Sequence, residues 1–266
     1  PYETPPFDKI KNEHYEPAID KAIKEHQNEI NRITMVRSMA TFENTIVALE
    51  ESGKLLSRVA SVFFNLLGSE SNDEMMQIAQ NIQPKLSEHS NAITLNEALF
   101  QRVKAVYDKR YESNLTPEQI RLVEKTYQGF ENSGATLTGK DRDTYKELSS
   151  KLSQLGLMFG QNSLKENNKY EMLLTDEADL AGLPQMIKDA AAAKAKAKSK
   201  EGWMFDLSAP SYIAFMKYSS RRDLREKLYM AYTTQCAAGG EFDNRENVKQ
   251  IAQTRLEIAK LLGYPD

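Results

Sequence analysis

Residues 41–67 read TFENTIVALEESGKLLSRVASVFFNLL. Within this stretch Phe42, Ile46, Leu49, Leu56, Val59, Phe63 and Leu66 recur three, four or seven residues apart, the spacing that lines one face of a 3.6-residue repeat. The stretch is therefore expected to form one long buried helical stripe. Thr41 is placed to cap its first turn through the side-chain oxygen, and Gly53 marks a bend or a weak point in it.

The same period extends outward. Amphipathic helices are expected over 74–88 and 97–110, the second capped by Asn96. Thr116-Pro117-Glu118-Gln119 combines a capping threonine, proline at the first helical position and glutamine at the third, which starts a helix running to about residue 132. Gly134 suits the left-handed residue that ends it, and Thr138 caps a further helix reaching about residue 165. Its inner face would carry Tyr145, Leu148, Leu152, Leu155 and Phe159, and the two helices are expected to pair antiparallel.

Beyond Asn168 the texture changes. Segments 170–174 and 203–207 are short, apolar and flanked by turn formers, and read as two strands. Between them lies 188–200, KDAAAAKAKAKSK, whose alanines favour helix while its lysines require water, so an exposed helix fading into a loop is expected. Helices return after Ser219, capped by Ser219 or Ser220 and by Asp243 or Asn244, with Gly263 closing the last. The expected fold is mainly α with a small β insert. Its expected organisation is a helical region 1–167, the strands with the Ala/Lys segment at 168–218, and closing helices at 219–266.

Composition limits the function classes. The 266 residues are 40% hydrophobic and 27% charged, a balance that supports a core. The length accommodates one large domain or two joined lobes. With 35 Lys plus Arg against 38 Asp plus Glu, the net charge of -3 gives no drive toward phosphate backbones or anionic lipid. Neither nucleic acid nor a membrane is an expected partner. The best apolar runs, at 59–67 and 155–159, fall short of the roughly 20 residues that span a bilayer. Cys236 alone permits no intrachain disulfide and no cysteine-based zinc site, which points to the cytoplasm, with the periplasm as the alternative. Pro1 follows neither a methionine nor a basic and apolar leader, and reads as a processed or excised start.

Local motifs carry little chemistry. The segment 134–141, GATLTGKD, fits G-x-x-x-x-G-K but ends in Asp141 where a phosphate loop needs a hydroxyl for magnesium, and it follows a helix where that loop follows a strand. It reads as a helix-connecting turn. The residues four after His14, His26 and His89 are Ala18, Ile30 and Ile93, so none begins a helical metal pair and H-E-x-x-H is absent. Surface or hydrogen-bonded structural roles are expected for all three. Cys236 has no neighbouring histidine or basic residue to activate it and reads as a small buried or half-buried side chain. Phe63, Phe64, Tyr127, Phe130, Tyr229 and Tyr232 fall at helical spacings and are assigned to the core. Arg221, Arg222 and Arg225 crowd a helix start, where positive charge opposes the dipole. They are placed to contact an anionic group such as a carboxylate, or to be neutralised by Asp223 and Glu226.

Five segments resemble the opening portion of the thimet oligopeptidase family of zinc metallopeptidases, and within it the bacterial peptidyl-dipeptidase (Dcp) branch. They are PPFDKIKNEHYEPAI at 5–19, TFENTIVALEESGKLLSRVASVFFNL at 41–66, PKLSEHSNAI at 84–93, LREKLYMAY at 224–232 and LEIAKLLGYPD at 256–266. The resemblance implies a helical two-lobed peptidase with a deep channel that admits short peptides, this chain supplying most of one lobe and part of the channel wall. It also implies zinc in the intact enzyme, held by an H-E-x-x-H segment and a downstream glutamate. This chain reaches Asp266 without such a segment, so no catalytic, cofactor-binding or metal residue is carried over onto it. The expectation is a non-catalytic N-terminal portion that binds no zinc itself and works with the remaining catalytic region. The alternative is a free-standing helical module that binds peptides or proteins without cleaving them, and a stop codon shortly after Asp266 in the gene is what would favour it.

Overall fold

The computed structural model describes residues 4–266. It is mainly helical, with one small two-stranded sheet. Along the chain run α1 (Tyr15–Thr34), a wide π turn (Phe42–Val47) continuing into α2 (Ala48–Glu50), then α3 (Lys54–Ser69), α4 (Asp73–Thr94), α5 (Glu97–Asp108), α6 (Pro117–Asn132) and α7 (Gly139–Lys169). After these come β1 (Met172–Leu174), α8 (Gln185–Ala197), β2 (Trp203–Phe205), α9 (Ala209–Tyr218), α10 (Arg222–Thr233) and α11 (Arg245–Leu261). Two compact units divide the chain: the first takes residues up to Leu157 and again from Ile251, the second Met158–Gln250.

Three expected helix starts are built as their sequences dictate. Thr41 Oγ1 accepts from the Asn44 amide at 3.1 Å while Asn44 Oδ1 accepts from the Thr41 amide at 2.9 Å, a reciprocal box that satisfies two otherwise orphaned donors. Thr116 and Gln119 repeat the arrangement, and Asn96 Oδ1 accepts from the Leu99 amide at 2.9 Å. Arg102 then fastens the connection ahead of the box: its guanidinium donates to the carbonyls of Val36 and Ser38 and to the side chains of Asn44 and Thr45.

The single stripe expected across 42–66 is in fact two. Gly53 adopts φ +70°, a left-handed conformation in which side chains other than glycine are strained, and the chain breaks between α2 and α3. Phe42 and Ile46 enter one core with Ile30, Leu99, Val103 and Val123. Phe63 enters another with Tyr15, Ile19, Met75 and Ile82, against which Leu56, Val59 and Leu66 pack in part. Two further expectations change. α6 packs on α5, so the α6–α7 antiparallel pair is replaced. On α7 Tyr145 and Leu155 are buried, but Phe159 is exposed and the inner face is narrower than its spacing implied.

In the second unit β1 and β2 pair antiparallel, Met172 opposite Phe205 and Leu174 opposite Trp203. Their inner side chains join Leu180, Phe215 and Leu228 in a third core. The Ala/Lys segment is more firmly seated than expected: Ala191 and Ala195 are buried, and its lysines pair across, Lys194 with Asp206 and both Lys198 and Lys200 with Glu171. α9 was not anticipated, because Pro210 reads as a turn former and in fact occupies the first helical turn, where its missing N–H costs nothing. Neither Ser219 nor Ser220 is the N-cap of α10; Arg221 holds that position, and the Ser219 hydroxyl accepts from its amide. Gly263, at φ +88°, closes α11, with the Tyr264 amide bonding back to the Ala259 carbonyl.

Candidate functional site

Each motif singled out in the sequence has a place in the fold. Segment 134–141 is a turn: Gly134 has φ +78° and lies under the Tyr145 ring, so it serves packing and not phosphate. Cys236 is buried, and burial pushes its thiol pKa up, so the thiol is held in its unreactive form. Phe63, Phe64, Tyr127 and Phe130 pack as expected, Tyr127 stacking on Tyr107 at 4.0 Å. Tyr229 and Tyr232 do not belong to the core; both are exposed on α10, where Tyr232 stacks on Tyr212 at 4.0 Å. Helical spacing alone cannot tell which face of a helix meets a neighbour.

One arginine of the cluster is neutralised by carboxylates. Arg221 pairs with Asp223 and Asp179, which hold its guanidinium pKa above the usual value, and Arg225 donates to the Ser219 carbonyl. Arg222 is exposed and, with Met216, Arg225, Glu226, Tyr229 and Met230, lines an open groove of about 350 Å³ on α9 and α10. A positive charge beside apolar walls suits the carboxylate and side chains of a peptide.

The histidines are arranged in a way their spacing concealed. His14 lies exposed at the start of α1, its Nδ1 accepting from the Lys11 amide. His26 on α1 and His89 on α4, 63 residues apart, meet: His89 Nε2 lies 3.0 Å from His26 Nδ1, with the rings edge to face. His26 Nε2 lies 3.1 Å from the Ser52 hydroxyl in the α2–α3 turn. The tautomers follow from Ser52. Its hydroxyl donates to the Leu49 carbonyl at 2.6 Å and so accepts from His26 Nε2–H. His26 Nδ1 is then the acceptor for His89 Nε2–H. Beside them the Gly53 amide donates to Glu29 Oε2 at 2.7 Å. Spacing tests for a residue four positions on could not find this contact; the available signal was that His26 and His89 each interrupt an apolar helical face.

The described residues do not fit a zinc centre. Among the described residues no three His, Cys, Asp or Glu side chains converge on one point. The facing nitrogens of His26 and His89 are spent on each other, and the other His26 nitrogen on Ser52.

Comparison with known proteins places the scaffold. The profile of the family "Neurolysin/Thimet oligopeptidase, N-terminal domain" matches residues 19–142. Dipeptidyl carboxypeptidase of Escherichia coli K12 is 36% identical over the whole of this chain. The chain matches the N-terminal portion of the thimet oligopeptidase family. Oligopeptidase A of the same organism is 33% identical over 99% of the chain, and the probable cytosolic oligopeptidase A of Arabidopsis thaliana 27% identical over 99%. The chain covers 39%, 39% and 38% of the length of these three relatives, so its match to the oligopeptidases is to their N-terminal portion.

Proposed function

We propose that the chain is the non-catalytic N-terminal portion of a zinc peptidyl-dipeptidase that removes C-terminal dipeptides from short peptides. The observation that carries this reading is the 36% identity, unbroken over the whole chain, to a protein named dipeptidyl carboxypeptidase. In this reading the chain supplies part of the wall of a substrate channel, and the groove with Arg222 and Tyr229 is the part of the second unit whose chemistry suits a peptide. The peptide-bond chemistry and the zinc belong to the remaining catalytic region. A cytoplasmic location accords with the single cysteine.

Two measurements test the proposal. The 266-residue chain with zinc and a short peptide is expected to show no turnover, while the intact gene product releases dipeptides from the C-terminal end. Turnover by the chain alone would overturn the division of labour, and an intact product that binds peptides without cleaving them would favour an interaction module. Separately, Met230 and Tyr229 on the groove are 51% and 48% exposed, and an apolar face of this kind promotes association when its covering partner is missing. Light scattering of the isolated chain should therefore show a mass that rises with concentration. A constant monomer mass at high concentration would count against a face that the catalytic region covers.

A further inference from the structure

We propose that His26 and His89 form an acid-released latch that ties α1, α4 and the α2–α3 turn together. Along α1 and through the α2–α3 turn the latch residues fall between residues of the unit's two cores. On α1 it falls after Tyr15 and Ile19 of one core and before Ile30 and Ile33 of the other. On α4 it follows Met75, Ile78 and Ile82, and in the turn Ser52 and Gly53 lie between Ile46 and Phe63. One hydrogen-bonded chain of His89, His26, Ser52 and the Leu49 carbonyl thus links α4, α1 and the α2–α3 turn, with His89 buried and the others half-buried.

The hydrogen bookkeeping makes this linkage sensitive to acid. Two neutral rings place one hydrogen between the facing nitrogens, which suits their 3.0 Å separation. A first added proton can be accommodated by sharing, one ring donating and the other accepting. With both rings protonated, both facing nitrogens carry hydrogen and two positive charges meet, so the contact must open. Few groups oppose this. From α1, Glu29 favours the charged form of His26 but less than burial disfavours it, and its Oε2 accepts from the Gly53 amide. From α4, His89 faces His26, and from the turn come only the neutral Ser52 hydroxyl and the Gly53 amide. Glu51 and Lys54 flank that turn but are exposed and paired with each other, as are Asp20 of α1 and Lys85 of α4. On α5, which also packs against α1, Arg102 is bound to the 36–45 segment. Burial lowers the pKa of both rings, and His26 lowers that of His89 further.

The sign follows. A histidine whose pKa is lower in the folded state leaves the unfolded chain binding more protons, so stability is full above about pH 6.5 and falls as the pH drops below it. Carboxylates also lose stabilising charge in acid, so the test is a comparison. His89→Gln keeps an N–H donor but cannot take up a proton. Urea unfolding of the 266-residue chain at pH 7.5 and pH 5.0 is expected to show the folding constant of the wild type dropping several-fold more than that of His89→Gln, because only the wild type carries the second depressed ring. Equal drops in the two proteins would overturn the latch. Should the variant fail to fold, the wild type alone decides through NMR titration of its imidazole resonances and hydrogen exchange at the Gly53 amide. His26 and His89 should titrate as a coupled pair below about pH 6.5, with Gly53 protection lost over the same range. Independent titration at or above the ordinary histidine value, with Gly53 protection unchanged, would refute it.

Discussion

Phe63→Ala is expected to lower the stability of the first unit by about 3–5 kcal/mol, the range for emptying a fully buried aromatic site. Phe63 has no exposed surface, and its ring meets Tyr15 edge to face at 4.9 Å and Phe64 at 5.1 Å. The cavity would be walled by side chains from α1, α3 and α4, including Ile19, Met75 and Ile82. Three helices held by their own contacts collapse poorly onto a void, which puts the cost in the upper part of the range. Phe63→Leu retains most of the burial and loses the ring contacts, so about 1–2 kcal/mol is expected. Urea unfolding followed by circular dichroism reads both. A loss below about 1 kcal/mol for the alanine variant would mean that the site repacks freely and that this core is not close-packed.

Gly53→Ala should cost about 2–4 kcal/mol for two separable reasons. Its φ of +70° alone costs an alanine about 1–2 kcal/mol. The added Cβ would also lie 2.6 Å from His26 Cε1 and within 3 Å of both ring nitrogens, and that ring cannot swing aside without leaving Ser52 and His89. A double-mutant cycle separates the terms, because placing Gly53→Ala in a His26→Ala background removes the collision and leaves the backbone strain. Gly129 is the control. It lies inside α6 with nothing within 4 Å of its missing Cβ, so Gly129→Ala should stabilise by about 0.5–1 kcal/mol. Equal effects at the two glycines would show that the break at Gly53 places no demand on its residue.

The sequence made the local parts of this fold legible. Caps at Thr41, Asn96 and Thr116 act over three residues, and their chemistry is complete within that span. The two strands and the closing Gly263 are set by equally short patterns. What stayed hidden depends on partners distant in the chain. Gly53 marked the break within 41–67, but not that Ile46 and Phe63 on either side of it serve different cores, because their partners come from other helices. Tyr229 and Tyr232 were misassigned for the same reason, since a helix carries its period whether or not a neighbour covers that face. For the candidate site, the arginine cluster and its neutralising Asp223 were visible, while Asp179, 42 residues away, was not. The family resemblance rested on longer segments, which is why it held where catalytic motifs were lacking.

The linkage formed by His26, Ser52 and His89 bears on how this lineage can change over time. The buried side chains of the two cores its helices draw on form separate clusters, so each compartment can drift in size and shape with compensation confined to itself. The linkage is less free. A replacement there must restore a donor, an acceptor and the small residue beneath the ring together, which leaves mutation few single steps through it.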